Sequence, residues 1–353
     1  MTGSRGARRL RNLITLARRP RPRIGPSPAD AIFAENKWQL LRYRPRPQGI
    51  AFATPLLLVP SLINRHYVLD LAPGRSLVEY LVAQGHDVHV IDWGQPGDED
   101  RYLTFDDLCD GYIGRAVRVA ARAAGAEKVH LLGYCMGGTL AAIHAAARPE
   151  RIASLTALAA PVSFAEGGTL ATWTRTRSFD VGALVDGFGN VPWPLMQWSF
   201  HLLRPTLNLW KAVRLVERAW DDEFLDSFVA VETWGNDNVS FPGQAYRRYI
   251  EALYRDDALM RGDMTLSGRP ARLSDIRCPL LCITFDSDNI VPAASATPLL
   301  EAVGSRDVQH MHLGGGHVGA VIASRARENL WPHMSRFWAE RDGRTSQLSR
   351  AAR

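Results

Sequence analysis

The sequence predicts an α/β architecture, a mostly parallel sheet with helices on both faces and an inserted helical cap. Three observations predict it. From about residue 35, short apolar runs alternate with amphipathic stretches, as in chains whose strands are joined by helical crossovers. Between about residues 165 and 270 the alternation stops in a largely helical segment without clear strands. The chain has 353 residues, 46% of them hydrophobic, which is enough for a large core and outside the disordered range.

Residues 1–34 read as a basic, disordered arm. Eight arginines and no acid fall in residues 1–29, so the formal charge of +6 belongs to the arm; the other 34 basic and 36 acidic groups leave −2. That balance gives the globular part no footprint for nucleic acid. Leu10, Leu13, Ile14 and Ala17 lie at helical spacing among the arginines, a pattern that would suit an anionic surface. No apolar run reaches the roughly 18 to 20 residues of a membrane-spanning helix, and no secretory h-region is present, so a cytoplasmic protein is expected.

The core is expected over residues 35–164 and 271–342. Its strands are the apolar runs 55–59, 87–91, 129–132, 155–159, 280–283 and 308–313, and its helices are 75–84, 106–124, 138–147, 293–303 and 324–340. Gly85, Gly125 and Gly304 follow three of those helices, where a left-handed terminal residue favours glycine. The cap is residues 165–270. It carries Trp173, Trp193, Trp198, Trp210, Trp220 and Trp234, a composition suited to covering an apolar substrate, although most of these rings are expected to fill the cap's own interior. Residues 343–353 read as a flexible tail.

The four cysteines, Cys109, Cys135, Cys278 and Cys282, form no C-x-x-C pair and no zinc-type cluster. On a strand, Cys278 and Cys282 would stand roughly 13 Å apart, too far to bond. Reduced thiols, no metal and no cofactor are expected, with one cysteine set apart by its context. Gly133-Tyr134-Cys135-Met136-Gly137-Gly138 joins an apolar strand directly to a helix. This is the strand, sharp turn and helix of a nucleophile elbow, with cysteine in the serine position of G-x-S-x-G, and it narrows the class to an α/β-hydrolase fold. The turn holds the nucleophile in a strained backbone conformation and needs flanking residues without side chains. At the helix N-terminus the dipole and free N–H groups favour a thiolate and an oxyanion.

In that fold the acid follows a later strand and the histidine follows the last one. Asp288, in Asp286-Ser287-Asp288-Asn289-Ile290-Val291-Pro292, is the expected acid, with Asp286 as the alternative. His317, in Gly314-Gly315-Gly316-His317, is the expected base. His310 and His312 form an H-x-H pair without further ligands nearby, and His144 reads as packing. The oxyanion donors are expected to be the backbone N–H groups of Met136 and of Leu62 or its neighbour Ser61, position mattering more than side chain.

The thiol also informs function. Exchange between a thiolate and a thioester is nearly balanced in free energy, and the acyl-cysteine stays activated for transfer to an alcohol. Ester synthesis from acyl thioesters suits such a nucleophile. The segment Asn64-Arg65-His66-Tyr67-Val68-Leu69-Asp70-Leu71-Ala72-Pro73-Gly74-Arg75-Ser76-Leu77, then Val90-Ile91-Asp92-Trp93-Gly94, together with GYCMGGT, DNIVP and GGGHVG, resembles the polyhydroxyalkanoate synthase family, collinearly from about residue 38 to 340. The resemblance implies an acyltransferase that polymerises (R)-3-hydroxyacyl-CoA and releases CoA. Cys135 would carry the acyl group, His317 would be the base, and Asp288 would partner His317 or the substrate hydroxyl. It implies as partners the acyl-CoA and the polyester, a second synthase subunit or a homodimer, and association with polyester granules.

The length matches the short synthase subunits. Two features depart from that pattern: Asn289 stands where the family has histidine, and Trp234-Gly235-Asn236-Asp237-Asn238 with Phe241-Pro242-Gly243 is similar to the long synthases. Two rival readings are a cysteine-dependent hydrolase of an ester, lactone or thioester, similar to dienelactone hydrolases, and a non-catalytic granule scaffold. The cap and the NRHYVLDLAPGRSL segment favour the synthase over the former, and the complete set of nucleophile, acid and histidine argues against the latter.

Overall fold

Strands buried on both faces read as continuous apolar runs, whereas edge strands alternate, and this contrast orders the sheet. In the computed structural model, which describes residues 2–20, 23–176, 178–203 and 207–342, one eight-stranded sheet runs through the molecule. Its strands are β1 (Ala29–Glu35), β2 (Trp38–Tyr43), β3 (Leu56–Val59), β4 (Val88–Asp92), β5 (Val129–Tyr134), β6 (Ile152–Leu158), β7 (Leu280–Phe285) and β8 (Val308–Leu313). They lie in the order β1-β2-β4-β3-β5-β6-β7-β8. The β1–β2 and β2–β4 pairs are antiparallel and all others parallel. β3, β5 and β7 are buried along their whole length, while β8, at one edge, alternates exposed and half-buried residues.

Alternate side chains of the sheet face two separate cores. On one face Leu57, Leu131 and Leu155 pack under α3 (Ile113–Ala124) and α4 (Met136–Ala147). On the other, Leu56, Leu58 and Leu132 pack under α2 (Leu77–Gln84) and the C-terminal helix Ser324–Ala339, which contributes the buried Trp331 and Trp338. The Ser76 hydroxyl caps α2 by accepting the Glu79 N–H at 2.8 Å, and left-handed Gly85 (φ 96°) and Gly125 (φ 65°) end α2 and α3. Gly304 is not left-handed; a Cβ there would meet the Ser274 carbonyl oxygen at 2.2 Å, so close approach explains that glycine. The single helix expected over 293–303 is two short ones, Ala293–Ala296 and Leu299–Ala302, because Pro298 between them lacks the N–H that would continue the first.

The N-terminal arm is not a disordered tail. Thr2–Thr15 forms helix α1, and β1 begins within the expected arm. The arginines find acids about two hundred residues away, a pairing invisible in local composition. Arg19 reaches Asp226 at 2.7 Å, Arg8 pairs with Asp222, and the Arg5 guanidinium stands 4.6 Å from the Trp220 ring centroid. Buried Asn12 donates to the Ala219 carbonyl at 2.8 Å. Farther along, Ser27 donates its N–H and its hydroxyl to the carboxylate of fully buried Asp70, each at 2.9 Å. Leu10 and Ile14 stay exposed. Residues 343–353, expected as a flexible tail, lie outside the described residues.

Between β6 and β7 the chain leaves the sheet to build the cap. Its helices are α5 (Gly168–Arg175), α6 (Val181–Phe188), α7 (Trp193–Leu203), α8 (Leu207–Arg218), α9 (Asp222–Asn236) and α10 (Gly243–Arg248), the last running into a π-helical turn, Tyr249–Arg255, and then a single short turn, Ala258–Arg261. The α1 contacts fall on the corner between α8 and α9. A short two-stranded ribbon, Thr265–Leu266 with Arg269–Pro270, returns the chain toward β7. Among the described residues no helix is long and apolar enough to cross a membrane.

Candidate active site

β5 ends at Tyr134, α4 begins at Met136, and Cys135 between them has φ 58° and ψ −132°. For a residue with a side chain this is a strained conformation, held here because the surroundings leave no other path. A Cβ on Gly133 would lie 2.3 Å from the Gly138 Cα, and one on Gly138 would lie 2.2 Å from the Ala160 Cβ. One on Gly137 would lie 2.1 Å from the Val59 carbonyl oxygen and 2.5 Å from that of Pro60. Gly137 thus lets the segment after β3 lie against the first turn of α4, bringing residues 60–62 beside Met136. The Met136 N–H is the first of the helix and has no intrahelical acceptor.

The segments after β7 and β8 bring Asp288 and His317 to the same end of the sheet. Asp288 Oδ1 accepts the Ile290 and Val291 N–H groups, both at 2.9 Å, and Oδ2 lies 2.7 Å from His317 Nδ1. Cys135 lies close enough on the other side of the imidazole to act on its charge, and both residues line the same cavity. Tyr134 donates its hydroxyl to the His317 carbonyl at 3.2 Å, and the two rings are 5.2 Å apart. Burial favours a neutral imidazole, but negative charge on Cys135 and the Asp288 carboxylate outweigh it and raise the His317 pKa to about 10. Asp286 points away: it is exposed and accepts the Gly315 N–H at 3.0 Å, so it shapes the glycine loop that carries His317.

The remaining candidates stand apart from this cluster. Burial pushes the Cys278 thiol up to about 11 and Cys282 to about 12, and raises Cys109 as well. All four thiols are free. His144 Nδ1 lies 2.9 Å from the Cys109 carbonyl inside α4, a packing role. His310 and His312 both bond Thr284 Oγ1 at 2.9 Å, and among the described residues no group of three His, Cys, Asp or Glu could hold a metal ion.

Cys135 forms part of the wall of two cavities. One, about 410 Å³, is lined by Asn64, Arg65, Lys211, Trp234, Asn289 and His317. The other, about 620 Å³, is lined by Phe164, Trp173, Phe179, Met196, Tyr249 and Tyr254. The cap tryptophans therefore divide. Trp173 and Trp234 line the cavities, Trp193 and Trp198 are exposed, Trp220 meets the arm, and the Trp210 side chain lies outside the described residues. Tyr249 and Tyr254 were not foreseen. In an α-helix residues five apart point in different directions, and the π-helical turn puts both on the cavity wall, with ring centroids 5.6 Å apart.

Comparisons with known proteins add to this geometry. A family model described as alpha/beta hydrolase fold matches residues 54–318, and one described as the N-terminus of poly-beta-hydroxybutyrate polymerase matches residues 23–81. The chain is 35% identical to a poly(3-hydroxyalkanoate) polymerase subunit of Haloferax mediterranei, covering 90% of this chain and 65% of the relative. It is 35% identical to that of Allochromatium vinosum, covering 90% of both, and 30% identical to that of a Synechocystis species, covering 90% of this chain and 86% of the relative. Among solved structures it resembles a putative non-heme bromoperoxidase of Mycobacterium tuberculosis, with a TM-score of 0.54 at 14% identity over 88% of this chain and 98% of that one. At that identity the likeness speaks for the fold alone.

Proposed function

The chain belongs to the poly(3-hydroxyalkanoate) polymerase family, and from that premise we propose that it joins (R)-3-hydroxyacyl units from CoA thioesters into polyester through Cys135, His317 and Asp288. Its substrate is a hydroxyacyl-CoA and its product a polyhydroxyalkanoate. The observation that carries the assignment of roles is the continuous chain of contacts from Asp288 through His317 to Cys135, at the wall shared by the two cavities.

In the loading step Cys135 Sγ bonds to the thioester carbonyl carbon, and its proton resides on His317. The oxyanion so formed is held by the Met136 and Leu62 N–H groups. The bond to the CoA sulfur then breaks, and His317 returns the proton to the leaving thiolate. In the transfer step the hydroxyl of another hydroxyacyl unit or chain end gives its proton to His317 and attacks the acyl-cysteine. An ester C–O bond forms, the C–S bond breaks, and the proton returns to sulfur. Asp288 keeps Nδ1 protonated and the ring oriented, so Nε2 faces the sulfur. The aromatic cavity suits acyl units, which leaves the cavity walled by Asn64, Arg65 and Lys211, the last paired with Glu232, to the CoA part of the thioester.

A second synthase subunit or a second copy, and association with polyester granules, complete the proposal; the exposed Trp193, Trp198 and Leu202 of α7 offer apolar surface for such contacts. The test is incubation of the purified protein with 3-hydroxybutyryl-CoA, following CoA release and polymer together. CoA release with free 3-hydroxybutyrate and no polymer would point to a thioesterase instead.

A further inference from the structure

Ser61 is 4% exposed, and its Oγ is the only buried hydroxyl without a hydrogen-bond partner among the described residues. A buried hydroxyl left unpaired is costly, and folded proteins keep few such groups without a use for them. Ser61 lines the cavity that contains Cys135 and His317, and its hydroxyl lies buried just behind that wall.

Its segment is fastened on both sides. Ahead of it, Trp93 Nε1 donates to the Pro60 carbonyl at 3.0 Å, and the Val59 and Pro60 carbonyls abut Gly137 of the elbow. Behind it, Asn64 Nδ2 donates to Asn238 Oδ1 at 2.5 Å, and the Val239 N–H donates to the Ile63 carbonyl at 3.3 Å. A donor on so constrained a segment meets the first requirement of electrostatic catalysis, that it need not reorganise when charge develops.

We propose that the Ser61 hydroxyl is a catalytic donor to the substrate carbonyl oxygen, joining the Met136 and Leu62 N–H groups as a side-chain member of the oxyanion site. The proposal rests on Cys135 being the nucleophile. As the sulfur–carbon bond forms, the carbonyl electron pair moves onto oxygen and Ser61 O–H donates to it. When the bond to the leaving sulfur breaks, the pair returns to the carbonyl and that hydrogen bond weakens. Ser61 itself gains and loses no covalent bond. The same donor serves loading and transfer, because both pass through an oxyanion on the same carbon. The side chain at this position thus matters beyond the backbone placement expected from sequence.

The test compares Ser61→Ala and Ser61→Thr with the unmodified enzyme by rapid-mixing CoA release from 3-hydroxybutyryl-CoA and by thermal unfolding. Ser61→Ala should lower kcat by about tenfold or more with little change in KM, since the lost bond strengthens only in the transition state. Its Tm should be unchanged or higher, because an unpaired buried hydroxyl has been removed. Ser61→Thr, which keeps the donor, should retain most activity. Wild-type kcat in Ser61→Ala, or a loss of kcat that tracks a fall in Tm, would overturn the proposal. Cys135→Ala run in parallel separates the two levels: if it is inactive while Ser61→Ala is unimpaired, only the role of Ser61 fails.

Discussion

Asp288 holds His317 with one carboxylate oxygen, 2.7 Å from Nδ1, while its other oxygen is occupied by the Ile290 and Val291 N–H groups. The carboxylate cannot swing away without losing two backbone hydrogen bonds, so it holds the imidazole in one orientation, as the proposed loading and transfer steps require.

Asp288→Asn should therefore be a defect of proton handling more than of folding. Turnover should fall by about a thousandfold or more, as removal of an orienting carboxylate does in comparable triads. Loading needs His317 only once, so the variant should release a burst of CoA close to the enzyme concentration and then stall. His317→Ala should show no burst. Equal loss of the burst in both variants would contradict the separate role given to Asp288.

Only Cys135 should matter among the thiols. Cys135→Ala should abolish turnover, whereas Cys109→Ala, Cys278→Ala and Cys282→Ala should keep most of it. Cys135→Ser should lose orders of magnitude in elongation, since an alcohol is far less acidic than a thiol and its ester less activated. Mass spectrometry after brief alkylation at mildly acidic pH should find the label on Cys135, because burial keeps the other three thiols protonated.

Stability should fall on both sides of neutrality. Burial lowers His86 and His144 to about 4 and His130 to about 3. Their folded values lie below the unfolded one, so their contribution is whole above about pH 6.5 and is lost as pH falls toward those values. The slope is up to about 1.4 kcal/mol per pH unit for each histidine. His317, raised to about 10, has the opposite sign: its contribution is whole below about pH 6.5 and is lost as pH rises toward 10. Urea unfolding across pH should show both limbs, and His317→Gln should flatten only the alkaline one.

Removing residues 2–20 should loosen the corner between α8 and α9. The corner would lose the buried Asn12 hydrogen bond to Ala219 and the Arg19 contact with Asp226. Hydrogen exchange over residues 211–230 should rise while β5 stays protected. A substrate analogue that bridges cap and core should raise protection across 165–270 in the full chain. Unchanged exchange at the corner after truncation would mean that α1 rests on the cap without restraining it.

Much of the core was legible because its signals are local. The apolar runs marked β3 to β8, and glycines with no room for a Cβ marked the elbow around Cys135. Asp288 and His317 were singled out from their places after β7 and β8 alone, and the structure sets them 2.7 Å apart. What stayed hidden depends on distant partners. The arginines of the N-terminal arm looked like a solvated tail until Asp222 and Asp226 were in place. β1, an exposed edge strand with little alternation, was folded into that misreading. That the Ser61 hydroxyl lacks a partner was equally hidden, because sequence carries no information on whether a hydroxyl finds one.

The cap is secured to the core unequally. At the far end of α9, Trp234 Nε1 donates to the Arg65 carbonyl at 3.0 Å, Asp237 accepts the Tyr67 hydroxyl at 2.7 Å, and Asn238 meets Asn64. α1 and Arg19 just beyond it hold the near end of the same helix. In contrast, Trp198 and Leu202 of α7 stand in solvent. If the cap opens, α9 should serve as its spine and the solvent-facing turns of α7 should move first, once Gln197 releases Gly235 and Asn236, while the segment bearing Ser61 and Leu62 should stay registered against the elbow.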